Sequence, residues 1–445
     1  MPTWEILELV EPEESEEHLR SWFVEIPRGA EAGELYMQGD LFTIDIKGWV
    51  IGRHARATAV ELVYHNQVVR TVPVRGARAD LAPAFPDLDP ELDMHFHSML
   101  GVVGLRPEFE FDVEAVLENG MRVPMAHIRA RHEPLRTGYD PVLRPIALTC
   151  LGRSGTTWLM RMLRHHPEIV VYDRHPYEHA YAKYWMHMLR VLSQPADHIS
   201  SYEHETFHNE IWKLGYNPFY DVPVQHEKEA REWLGREYVE RLARFCQSSI
   251  DDFYTMIADV QGQAPPTYFA EKHQWPNYIP VLMWEIYPQA KEIFLVRDFR
   301  DMVFSILAFD RKRGYPGFGR PAGRSDEDYV RMELREMALN LRKSWVTRRD
   351  RAHLVRYEDL VFNPDDTARG ILEYLELDAS PQHIRRLLAG GVADSEELHH
   401  RTSEKPEESI GRWRREGDER FRELCNDVFA DILDDFGYSE VGSVG

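Results

Sequence analysis

"LTCLGRSGTTWLMRMLRHHPEI", residues 148–169, runs from an apolar segment through a turn of small residues into an amphipathic stretch. Trp158, Leu159, Met162 and Leu163 recur at helical spacing, so the pattern predicts a strand, a loop and a helix. Small side chains at Gly152, Ser154, Gly155, Thr156 and Thr157 let backbone N–H groups turn inward. The helix N-terminus adds partial positive charge and Arg153 a full one, which makes the turn a cradle for an anion. A Walker loop needs Gly-x4-Gly-Lys-Ser/Thr, and no lysine is present. A nucleophile elbow needs Gly-x-Ser-x-Gly, and Thr156 stands where the second glycine belongs.

The pattern continues downstream. Short apolar runs, "PIALTCL", "EIVVYD", "TYFAEK", "KEIFLVRD" and "HLVRYED", alternate with helical stretches, as in a parallel sheet covered on both faces. Upstream the period is two. In "LFTIDIKGWV" and "FEFDVEAVLENGMRVPMAHI" apolar and polar residues interleave, and Asn119-Gly120 between two such runs signals a hairpin, with a second turn at Asn66-Gln67. The expected fold class is therefore α/β: a P-loop-like parallel sheet flanked by helices, preceded by a small antiparallel β-sandwich. The expected boundaries are an N-terminal extension over 1–34, the sandwich over 35–131, a linker over 132–138 ("RHEPLRTGYDP" being polar with Pro and Gly) and the α/β domain over 139–445.

Composition narrows the functional classes. The 445 residues, 43% hydrophobic and 11% aromatic, suit a globular protein of two or three domains. A formal charge of −22, from 53 basic and 75 acidic side chains, argues against nucleic acid and anionic membranes as partners, so any anion must be held locally. Cys150, Cys246 and Cys425 are too few and too scattered for a disulfide framework or a zinc site. With an acidic N-terminus and no long apolar run, the expectation is a cytoplasmic protein without a membrane span. His95 and His97 share a strand face but have no further ligands nearby, and are read as solvated.

Three more clusters fall at predicted strand ends. Arg297 ends "IFLVR" and Ser305 follows eight residues later, two helical turns on, so two donors converge on one anion. Glu271, Lys272 and His273 leave another strand together, offering two candidate bases and a cation. Consecutive strand residues point to opposite faces, so only one of Glu271 and His273 is expected to face an acceptor. Tyr357 ends a fourth strand. Open parallel sheets bind ligands at their carboxyl edge, where Gly152, Glu271, Arg297 and Tyr357 all fall.

These motifs, spread over about Leu143 to Tyr438, resemble the sulfotransferase family that uses 3′-phosphoadenosine 5′-phosphosulfate (PAPS). The resemblance implies that "GRSGTTWL" binds the 5′-phosphosulfate, with Arg153 where many members have lysine. It implies that Arg297 and Ser305 hold the 3′-phosphate and that Tyr357 approaches the adenine. "RTSEKPEESIGRW" resembles the family's closing loop without its usual Arg-Lys-Gly triplet; Arg401, Lys405 and above all Arg412 are its candidate cations. By this resemblance Arg153 and Lys272 would stabilise the transferring group, and Glu271 or His273 would take the acceptor proton, as family members use one or the other. No metal is expected. The sandwich resembles accessory domains joined to bacterial glycosyltransferases and sulfotransferases, which points to a carbohydrate or glycolipid acceptor, with a small alcohol or phenol as alternative. "RHPYEHAYAKYWMHM" could line the acceptor cleft, and the Gly-rich basic stretch after Ser305 could form a lid. A nucleotide-dependent kinase and a non-catalytic glycan-binding protein are the competing classes; the missing Walker lysine and the set of polar site residues count against them. Oligomeric state is not legible.

Overall fold

The computed structural model describes residues 4–26, 42–65, 67–78, 80–81, 83–193, 229, 233–273, 278–391, 402–403 and 405–438. The chain divides into two compact units, Met1–Tyr139 with Met186–Cys246, and Asp140–Trp185 with Gln247–Gly445. Residues 186–246, assigned to the α/β domain from sequence, thus group with the N-terminal unit.

The first unit contains β1 (Trp4–Val10), β2 (Leu19–Glu25), β3 (Thr43–Gly52), β4 (Ala57–Tyr64), β5 (Gln67–Pro73), β6 (His95–Gly101), β7 (Glu108–Leu117) and β8 (Arg122–His132). They form two antiparallel sheets, β1-β8-β7-β4-β5 and β2-β3-β6. Period-two patterning explains them: Phe109, Phe111, Val113 and Ala115 of β7 are buried, while Glu108 and Glu110 are exposed. The Asn119-Gly120 turn joins β7 to β8, and Met121 N donates to Asn119 Oδ1 at 3.0 Å. Asn66 lies outside the described residues. β1 and β2 correct the reading of 1–34 as an extension. Glu5 and Glu8 of β1 pair across strands with Arg131 and Arg129 of β8. His97 Nε2 donates to Asp45 Oδ1 at 2.5 Å. Among the described residues no group of three His, Cys, Asp or Glu could hold a metal, and no helix is long and apolar enough to cross a membrane.

From Arg144 the elements are β9 (Arg144–Cys150), α1 (Thr156–Arg164), β10 (Ile169–Val170), α2 (Tyr181–Ser193), α3 (Tyr238–Val260), β11 (Tyr268–His273), α4 (Tyr278–Ile286), β12 (Lys291–Val296), α5 (Phe299–Arg313), α6 (Arg335–Arg348), β13 (Ala352–Arg356), α7 (Tyr357–Phe362), α8 (Pro364–Tyr374), α9 (Pro381–Ala389) and α10 (Glu419–Leu433). The five strands pair in parallel in the order β10-β11-β9-β12-β13. Alternate side chains feed two cores. Ile146, Leu148, Ile293 and Leu295 pack with α1, α8 and α9, whereas Phe294 and Val296 pack with α5, α6 and α10. Burial on both faces is why these strands read as continuous apolar runs. A buried carboxylate links strand and helix: Glu292 accepts from Thr149 Oγ1 and from Arg348 Nη2 at 3.1 Å.

Candidate functional site

The loop after β9 is held in a strained shape by its own residues. Arg153 adopts φ +66° and Gly155 φ +91°, and Ser154 Oγ donates to Leu151 O at 2.7 Å. Left-handed backbone is costly for a residue with a Cβ, so the arginine is kept there by its surroundings. No side chain caps α1, which leaves its first N–H groups for a ligand. Gly155 has a second constraint: a Cβ there would lie 2.5 Å from Tyr357 Cδ2. Gly155→Ala is expected to destabilise the protein by about 2 kcal/mol or more, from the positive φ and the clash together, measurable by urea unfolding. Behind the loop, Phe318 covers Gly152, whose added Cβ would meet the ring at 2.5 Å. The Gly-rich stretch read as a lid thus rests on the loop through Phe318, with Tyr329 Oη donating to Phe318 O at 2.7 Å.

Arg153, Gly155, Thr156, Thr157, Arg297, Ser305 and Tyr357 line one cavity of about 190 Å³. Arg153 Nε donates to Ser305 Oγ at 3.3 Å, and its guanidinium lies 4.5 Å from the Phe309 ring centre. Arg297 Nη1 donates to Arg153 O at 3.2 Å and Nη2 to Ser409 O, while its guanidinium sits 4.8 Å from the Tyr357 ring. Arg297 Nε is buried without a hydrogen-bond partner among the described residues. Burial, followed by the charge of Arg297, pulls the Arg153 guanidinium down to about 10, so it stays cationic at neutral pH. Two like charges facing one cavity, Arg297 buried and Arg153 half-buried, are relieved by an anion.

Sequence reading missed several lining residues. Trp158, taken only as part of the apolar face of α1, also faces the cavity and meets Tyr357 edge-on at 5.9 Å. Ser409 lines it too, with Oγ 3.0 Å from Tyr357 Oη. A lone serine in a polar loop carries no signal in sequence, but the tryptophan directly after a phosphate loop could have been weighed. Arg161 Nη2 donates to Gly391 O at 2.8 Å and ties the C-terminal end of α9 to the same wall.

Arg412 departs from expectation. Its fork is taken by Glu416 at 2.8 and 2.9 Å, and Nη1 donates to Thr402 Oγ1 at 2.9 Å, so it supports a cavity-lining threonine and does not line the cavity itself. Spacing of i,i+4 on a short helical turn makes the Glu416 pair the local choice. Lys405 is exposed, and Arg401 lies outside the described residues.

The β11 residues are all buried and are not among those lining the cavity. Glu271 and His273 share a side of the strand, with Nε2 3.6 Å from Oε2, which corrects their assignment to opposite faces. Positions i and i+2 point the same way. Glu271 Oε1 accepts from Ala182 N and from Tyr254 Oη, both at 2.5 Å, and Oε2 from Lys183 N at 3.0 Å, so the carboxylate caps the start of α2. Burial raises Glu271 to about 7 against these donors, and drives His273 down to about 3, leaving the imidazole neutral. Lys272 Nζ donates to Pro176 O at 2.8 Å and lies 3.6 Å from Glu178; burial lowers its pKa.

The Glu271 shift has a stability consequence. Its folded pKa is raised, so its favourable contribution is complete below the ordinary carboxylate range and is lost as pH climbs towards 7. Lowering the pH from 8 to 5 is expected to raise the Tm of the wild type more than that of Glu271→Gln, as read by calorimetry.

Fold and cavity together define an α/β protein whose strand–loop–helix turn carries Arg153 and no Walker lysine. The model of the sulfotransferase family matches residues 145–381, more than half of the chain, and the chain belongs to that family. No curated protein matches it. Among solved structures it is similar to the sulfotransferase domain of the Synechococcus PCC 7002 olefin synthase (20% identity, covering 67% of this chain and 98% of that one, TM-score 0.36). It is also similar to the Alicyclobacillus acidocaldarius sulfotransferase (14%, 67% and 94%, TM-score 0.36) and to mouse sulfotransferase SULT7A1 complexed with PAP (12%, 67% and 86%, TM-score 0.35).

Proposed function

We propose that the protein transfers the sulfuryl group of PAPS to a hydroxyl of its acceptor, leaving 3′-phosphoadenosine 5′-phosphate (PAP). The observation that carries this reading is the convergence of Arg153, Arg297 and Ser305 with Tyr357 and Trp158 on one cavity. In this reading the loop amides and Arg153 hold the 5′-phosphosulfate, Arg297 and Ser305 the 3′-phosphate, and the two rings the adenine. The acceptor oxygen forms a bond to sulfur as the bond from sulfur to the 5′-phosphate oxygen breaks, and the acceptor proton passes to Glu271. Between the two candidate bases, Glu271 is poised near neutrality and His273 is too weakly basic to compete. Lys272 sits on the same strand end and supports the segment around Pro176.

For the acceptor we retain a carbohydrate or glycolipid. Tyr181 stacks on Phe253 at 3.9 Å, Trp185 packs edge-on against both Tyr181 and Tyr184, and Tyr184 is two-thirds exposed, so ring surface is offered close to the Glu271 cap. Aromatic edges with phenol groups suit a sugar that is apolar on one face and hydroxylated on the other.

Thermal unfolding with PAP, set against ADP with magnesium, tests the donor. A ligand that binds only the native state raises Tm by an amount set by its affinity. A rise with PAP alone is expected. A rise with ADP and magnesium alone identifies a kinase, and no rise with either a binding protein. The sulfuryl group carries less negative charge than a phosphoryl group, so transfer is expected to persist in EDTA.

A further inference from the structure

Glu271 is held by three donors from two helices, and one of them is a side chain. Tyr254, on α3, is fully buried and its ring stacks on Phe269 at 4.4 Å with the planes 12° apart. Its hydroxyl reaches Glu271 Oε1 at 2.5 Å, the oxygen that also accepts from Ala182 N. A carboxylate has about four acceptor sites. Two are filled on Oε1 and one on Oε2 by Lys183 N, so among the described residues a single site on Oε2 remains.

We infer that Tyr254 is a positioning residue for the transfer: by saturating Oε1 it leaves Oε2 as the atom that takes the acceptor proton. This rests on Glu271 being the base. The remaining groups facing the carboxylate are Lys183 from α2, which favours its ionised form, and His273 from β11, which is neutral. Tyr254 is raised well above its ordinary value by burial and then by the charge of Glu271, so it stays protonated and acts only as a donor. A donor to the ionised form keeps Glu271 more acidic than burial alone would. Removing the hydroxyl therefore makes the carboxyl harder to ionise.

The test uses Tyr254→Phe, which keeps the stacked ring, and Glu271→Gln, on the full chain. Difference infrared spectroscopy follows the protonated carboxyl band of Glu271 against pH, identified by its absence in Glu271→Gln. Sulfate release from PAPS into water gives a rate that needs no acceptor. Tyr254→Phe is expected to move the midpoint of the band to higher pH and to carry the acidic limb of the rate with it. Well below neutral pH the rate falls about tenfold, as one pH unit of displacement implies, and it recovers at alkaline pH. A merely structural role lowers the rate equally at every pH. An unmoved midpoint overturns the positioning role. A midpoint that moves while the rate limb stays, with Glu271→Gln still active, instead removes Glu271 as the base.

Discussion

Glu271→Gln is expected to lower the rate of sulfuryl transfer by about 10²–10⁴-fold, the range that general-base groups supply, while PAP binds within a few-fold of its wild-type affinity. Gln is nearly isosteric and its Oε1 can still accept from Ala182 N and Tyr254 Oη, so the start of α2 stays capped on that side. What it cannot do is accept a proton, and its amide opposes Lys183 N where Oε2 once accepted. The cost in stability is therefore modest and the cost in rate large. Calorimetry with PAP separates the two from steady-state transfer. His273→Gln should keep transfer within a few-fold, because the imidazole is already neutral and lacks a hydrogen-bond partner among the described residues. The reverse outcome, loss with His273→Gln and retention with Glu271→Gln, would falsify the assignment of the base.

Arg297→Ala should weaken PAP by roughly 10²–10³-fold, as expected for losing a buried charge that pairs with a phosphate. ADP, which has no 3′-phosphate, should weaken much less. The contrast between the two ligands is the informative number, since general damage to the cavity would weaken both. Arg297→Lys should recover part of the affinity, because a point charge replaces the fork without reproducing its two directions. The unliganded protein should also lose stability. Arg297 donates to the carbonyls of Arg153 and Ser409, and each buried acceptor left unsatisfied costs on the order of 1–3 kcal/mol. If Arg297→Ala lowers Tm and leaves PAP affinity intact, the residue is a strut between two loops and the 3′-phosphate lies elsewhere.

Much of the architecture was legible because the parallel strands are buried on both faces, and continuous apolar runs such as "PIALTCL" are rare outside such sheets. The strand-end placement of Gly152, Glu271, Arg297 and Tyr357 followed directly. β1 escaped because its outward acidic side chains are balanced by arginines more than a hundred residues away, a pairing that no local window contains. Glu271 and His273 were assigned to opposite faces although a spacing of two puts them on one. The pattern was present and was misapplied. Arg412 was drawn to Glu416 by a helical turn that is only four residues long. Trp158 was hidden because an aromatic residue on an amphipathic helix looks the same whether it faces a core or a cavity.

Arg297 reaches back 144 residues to Arg153 and forward 112 residues to Ser409. During synthesis the phosphate loop emerges long before the segment that closes over Arg297. A ribosome-bound chain stalled ahead of Ser409 already carries β9, β12 and both arginines, yet its pocket has no far wall. The cavity gains that wall only once the chain has been extended through Ser409, so an anion held there can stabilise only a chain at least that long.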